Sequence, residues 1–149
     1  MLKRGYEGQN CSIARTLEIV GERWTLLIIR DVFLGLRRFD QLQESLGVAR
    51  NVLAERLNRL VAEGILERVP YSDRPPRYEY RLTDKGRELN VALTALRQWG
   101  DTHLSGKPPR LLRRKADKKA VIAALVPRSA DVLRPDEVEL VPGPGLKTT

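Results

Sequence analysis

The sequence predicts a mostly α-helical chain carrying one small β-hairpin, and three observations point there. Apolar residues recur at helical spacing from about residue 11 to residue 63. Over residues 65–82 the period changes to alternation, around a turn-rich Ser72-Asp73-Arg74-Pro75-Pro76 tip. Aromatic content is only 5%, which suits a core of aliphatic helices. The chain has 149 residues and 42% apolar content, enough for one compact domain and an appendage.

Taken in order, residues 1–10 read as a flexible arm containing Gly5 and Gly8. Asn10 is the expected N-cap of a first helix from about Cys11 to Gly21, with Ile13, Leu17 and Val20 on one stripe. A second helix, about Trp24 to Leu34, is apolar almost all round, as befits the middle of a core. Phe39–Leu46 is a short third helix ended by Gly47, with Phe39, Leu42 and Leu46 inward. A fourth follows from about Arg50 to Glu63, buried through Leu53, Leu57, Leu60 and Val61 and closed by Gly64. Two short helices about a tight turn form a helix-turn-helix pattern. Ile65–Tyr71 and Arg77–Leu82 read as the strands of the hairpin. Thr83 would cap a last long helix to about His103, striped by Leu89, Leu93, Leu96 and Trp99. The order is that of a winged helix-turn-helix, with flanking N- and C-terminal helices, over residues 11–105. Residues 106–149 form a basic extension, expected as a small hairpin or a partly disordered tail. It holds the basic run Lys107–Lys119, an apolar stretch Val121–Val126 and a candidate strand Val138–Val141.

The formal net charge is +8 and the pI about 10.1. Residues 1–105 hold 17 basic against 14 acidic side chains, and residues 106–149 hold 10 against 5. A basic balance favours a polyanionic partner. Most of the excess lies in the extension, however, so recognition must be argued from pattern. One cysteine, Cys11, and one histidine, His103, exclude an internal disulfide and a cysteine-rich zinc site, and no metal or cofactor is expected. No apolar run reaches membrane-span length and the N-terminus lacks a signal pattern, so a cytoplasmic location is expected. No carboxylate pairs with a nucleophile, a Gly-rich loop or metal-type spacing, so catalysis is not expected.

In a winged helix the fourth helix would enter the major groove. With its leucines inward, a helical wheel turns Asn51, Glu55, Asn58 and Arg59 outward, and Arg50 and Asn51 stand at its N-terminal end. Asparagine pairs bidentately with adenine and arginine with guanine; Glu55 would accept from a cytosine amine or remain solvated. The wing tip carries Arg74 and Arg77, stiffened by two prolines and suited to the minor groove or to phosphates.

Four stretches resemble the HxlR-type regulators, relatives of MarR-type winged helices, from about Cys11 to His103. They are Cys11-Ser12-Ile13-Ala14-Arg15-Thr16-Leu17 leading to Gly21-Glu22-Arg23-Trp24-Thr25-Leu26-Leu27-Ile28; Arg37-Arg38-Phe39-Asp40-Gln41-Leu42; Asn51-Val52-Leu53-Ala54-Glu55-Arg56-Leu57; and Pro75-Pro76-Arg77-Tyr78-Glu79-Tyr80-Arg81-Leu82-Thr83. The resemblance implies homodimers built from the first and last helices, palindromic operators, and a cysteine that senses oxidants or electrophiles in some members. The family often has Ser at the start of the reading helix and Lys at position 51. Here Ala49, Arg50 and Asn51 stand there, so base preference does not transfer. The tail is similar to an extension of some actinobacterial members whose Cys-x-x-Cys pair is replaced here by Val126-Pro127-Arg128-Ser129.

The expected DNA-contacting set is Arg37, Arg38, Arg50, Asn51, Glu55, Arg56, Asn58, Arg59, Arg74 and Arg77. The expected dimer interface is Ile13, Leu17, Leu89, Leu93, Leu96 and Trp99. Cys11 at a helix start with Arg15 one turn on is a setting that favours thiolate. The sensor reading and that of a small inert cysteine both stand. The expected function is a sequence-specific, double-stranded DNA-binding transcriptional regulator, a repressor acting as a homodimer; on the sensor reading it responds to redox change or an electrophile through Cys11, and a small electrophile or ligand is the candidate effector. The alternative is an RNA- or protein-binding adaptor built on the same fold.

Overall fold

The computed structural model describes Tyr6 and residues 8–146, so the expected arm lies largely outside the described residues. The chain forms two compact units, Met1–Arg87 and Glu88–Thr149; the expected division at 105/106 falls within the second.

The first unit is built from α1 (Ser12–Val20), α2 (Thr25–Phe33), α3 (Phe39–Leu46), α4 (Arg50–Ala62), β1 (Leu66–Asp73), β2 (Pro76–Leu82) and a short α5 (Asp84–Arg87). α1 begins one residue later than the sequence suggests. Cys11, in extended backbone, is its N-cap and makes no side-chain capping bond, so Asn10 does not fill that role. α2 follows Trp24, whose φ of 81° is left-handed, a conformation that costs a bulky residue about 1–3 kcal/mol. Gly47 ends α3 with φ 64°, where a side chain would be strained.

Ile28 and Ile29 of α2, Leu42 of α3 and Leu53, Leu57 and Leu60 of α4 are fully buried and form the core. Inside it, Asp31 is 1% exposed. Its carboxylate accepts Ser45 Oγ at 2.7 Å, tying α2 to the end of α3, and pairs with Arg30 Nη2 of its own helix at 2.7 Å. A buried carboxylate is tolerable only when paired in this way.

β1 and β2 form an antiparallel hairpin from Leu66↔Leu82 to Asp73↔Pro76, with an irregularity between Pro70 and Ser72. It is longer than expected at the tip. Proline 70 has no N–H to donate, so the local ladder is broken there. The Arg74–Pro75 peptide bond is cis. Tyr80 N–H donates to the Arg37 carbonyl at 2.7 Å, fixing β2 to the segment ahead of α3.

The single helix expected from Thr83 to His103 is broken. Thr83 does cap α5, accepting Gly86 N–H at 3.0 Å, and its hydroxyl donates to the Gly64 carbonyl at 2.5 Å. Those bonds pin the first turn to the base of the hairpin. Gly86, a weak helix former, sits where an added Cβ would collide with the Ile65 carbonyl oxygen. A separate helix, α6 (Asn90–Gly100), then begins in the second unit and runs into a π-helical turn, Asp101–Ser105.

The rest of the second unit holds β3 (Arg110–Arg114) and β4 (Val138–Pro142), paired antiparallel from Arg110↔Pro142 to Arg114↔Val138. Lys118 at 3.0 Å and Arg113 at 2.7 Å both meet the Glu139 carboxylate and hold its pKa below the ordinary carboxylate value. The stretch Val121–Val126 forms no regular element. The Gln98 side chain binds it by accepting Ala123 N–H at 3.0 Å and donating to the Ala123 carbonyl at 3.2 Å.

Candidate nucleic-acid interface

The helical period of α4 buries Leu53, Leu57 and Leu60 and leaves Asn51, Glu55, Asn58 and Arg59 exposed. Ala49 caps the helix without a side-chain bond, and among the described residues no side chain accepts from its first N–H groups. Arg50 is exposed, and its guanidinium carbon lies 4.8 Å from the centroid of the Phe39 ring. That stacking holds the cation beside the start of α3, where Gln41 Oε1 accepts Arg37 N–H at 3.2 Å and Arg38 N–H at 3.1 Å. Glu55 accepts Arg56 Nη1 at 3.0 Å, which partly neutralises it.

The hairpin brings Arg74 and Arg77 to its exposed tip. Among the described residues no ion pair involves either. The Glu79 carboxylate on β2 is taken by Arg81 at 3.2 Å and Arg38 at 3.8 Å. Arg38 also stacks on Tyr71, with its guanidinium carbon 4.4 Å from the ring centroid, and so links α3 to β1. Arg38, expected to contact DNA, is thus also a bridge within the fold, which its place in the sequence does not announce.

On α4, Arg56 and Arg59 turn toward the α1–α2 segment. Arg56 Nε donates to the Arg23 carbonyl at 3.3 Å, with its Nη1 2.9 Å from Glu22 Oε2. Arg59 Nη2 donates to the Glu18 carbonyl at 2.7 Å.

Cys11 is exposed at the start of α1, and Arg15 lines a cavity of about 360 Å³ beside Tyr6, Asn10 and Glu18. On α1, Ile13 is 72% exposed and Leu17 36%. Within the second unit Leu96 and Trp99 are exposed, Leu89 and Leu93 half-buried. His103 stacks on Trp99 with centroids 4.9 Å apart. Among the described residues no cluster of His, Cys, Asp and Glu has metal-binding geometry, and no helix is long and apolar enough to cross a membrane.

A helix-turn-helix followed by a hairpin wing is the architecture of winged-helix transcriptional regulators. The chain belongs to the HxlR-like helix-turn-helix family, whose model matches residues 19–108. It is 44% identical over 149 residues to an uncharacterised HTH-type transcriptional regulator of Mycobacterium tuberculosis, covering 98% of this chain and 93% of that one. A solved structure of a candidate transcription factor of Pseudomonas aeruginosa is 44% identical, with a TM-score of 0.53 over 89% of this chain and 86% of that one. The reduced form of the transcriptional regulator YodB from Bacillus subtilis is 29% identical with a TM-score of 0.55, covering 66% of this chain and 98% of that one; a diamide-treated YodB structure also matches. The protein is therefore a transcriptional regulator with a helix-turn-helix domain, and its relatives are named as regulators, not as enzymes.

Proposed function

We propose that the protein reads specific duplex DNA as a homodimer, with α4 in the major groove and the hairpin tip against the backbone, and that it acts as a repressor. The observation that carries this is the face of α4. Asn51 and Asn58 are exposed over three buried leucines, beside an N-terminus left open to phosphate. Arg50, Arg37 and Arg38 flank that end, and Arg74 and Arg77 supply cations at the wing. Glu55, which meets Arg56 Nη1 at 3.0 Å, adds no attraction for phosphate and bears only on the choice of base. The exposed Ile13 and Leu17 on one unit and Leu96 and Trp99 on the other are surfaces a second copy would cover. An exposed Cys11, together with a relative described in reduced and diamide-treated forms, supports a thiol-responsive reading.

The test is selection of bound fragments from a random duplex pool, followed by competition. A sequence reader holds its selected duplex against a thousandfold excess of random duplex. Equal displacement by random duplex, or preference for RNA of the same sequence, gives the adaptor reading instead.

A further inference from the structure

Arg56 and Arg59 stand one helical turn apart on α4, on the flank between its buried leucines and its outward face. Glu18, whose carbonyl takes Arg59, is among the last four residues of α1, whose carbonyls have no intrahelical partner. A guanidinium there also meets the negative end of the α1 dipole. Arg56 grips the next stretch of chain, through the Arg23 carbonyl and the Glu22 carboxylate, immediately before the left-handed Trp24, while the same Nη1 also meets Glu55 on α4 itself. The two side chains thus bind consecutive pieces of a single α1–α2 corner.

Leucine contacts fix the depth of α4 but tolerate sliding and roll, because apolar attraction has no direction. Hydrogen bonds from planar guanidinium groups are directional and remove that freedom. Arg59 lies eight residues from Asn51, about 12 Å along the axis. A tilt of roughly 10° about that anchor would move Asn51 by about 2 Å, more than a hydrogen bond tolerates.

We infer that Arg59 and Arg56 are positioning residues: they set α4 against the α1–α2 corner, and discrimination between DNA sequences depends on them without their touching DNA. This rests on the reading of α4 as the helix that enters the groove. It also makes α1 a lever, since a displacement of the helix that carries Ile13 and Leu17 would reach the reading face through these bonds.

The full chain and Arg59→Ala are titrated with the selected duplex and with random duplex across a range of salt. The expected result is a fall of roughly tenfold or more in preference for the selected duplex, the worth of one misplaced base contact. Random-duplex affinity and the slope of log K against log salt stay as in the wild type. A loss shared equally by all sequences, with the slope lowered by about 0.9 per phosphate no longer neutralised, makes Arg59 a phosphate ligand and overturns the inference. An unchanged preference overturns it too. A wild type without any preference overturns the DNA-reading assignment and this inference with it. Arg56→Lys, which keeps the charge and removes the planar fork, must show the same loss at constant slope, and it serves alone if Arg59→Ala does not fold.

Discussion

A side chain that grips phosphate and one that reads a base edge leave different thermodynamic traces, so individual residues here are separable by experiment. Arg74 has no acidic partner among the described residues and stands at the wing tip. Arg74→Ala should weaken binding to every duplex alike and reduce the salt slope by about 0.9 for each phosphate it had neutralised, as measured by titration at several ionic strengths. Asp31 is a different matter. It is buried; its bond to Ser45 joins α2 to α3, and Arg30 of its own helix pairs with the carboxylate. Asp31→Ala removes hydrogen bonds to a charged group and should cost about 1.5–3 kcal/mol in urea unfolding. Cys11 is exposed at the cap of α1. If it senses oxidants, diamide should lower DNA affinity in the wild type and leave Cys11→Ser unaffected; equal responses would return Cys11 to an inert role.

At the scale of elements, the helices and hairpin were legible because burial imposes a period. Leu53, Leu57 and Leu60 announced α4 and its inner face, and all three are fully buried. Leu57→Ala should therefore destabilise the first unit by about 2–5 kcal/mol, read by urea denaturation. The break after α5 was not legible. Leu89, Leu93, Leu96 and Trp99 lie at or beyond it and keep helical spacing among themselves, while the contacts that hold α5, to Gly64 and Ile65, are distant in sequence. Gly86→Ala tests how closely α5 is held: a Cβ has no room beside the Ile65 carbonyl oxygen, and the melting temperature should drop although alanine is the better helix former. The site was legible to a similar degree. A helical wheel found the exposed Asn51 and Asn58. It had no means of showing that Arg59 bends back to Glu18, because an exposed helix position says nothing of where a long, flexible side chain ends.

For the whole molecule, a net charge of +8 supplies general attraction to DNA but no choice of sequence. In the proposed reading, choice comes from two reading helices about 34–36 Å apart on one face of the duplex, one from each copy of a dimer. Light scattering should give twice the 16.9 kDa chain mass. A charge placed on the exposed apolar residues, as in Leu96→Glu with Ile13→Glu, should shift the mass to the monomer and weaken binding to the selected duplex. Whether α4 itself reads bases is decided by Asn51→Ala, in competition between the selected duplex and variants substituted at each base pair. Discrimination should collapse at one defined base pair in each half-site, by about 1–3 kcal/mol, while random-duplex affinity holds. Discrimination that persists at every position would contradict that role for α4.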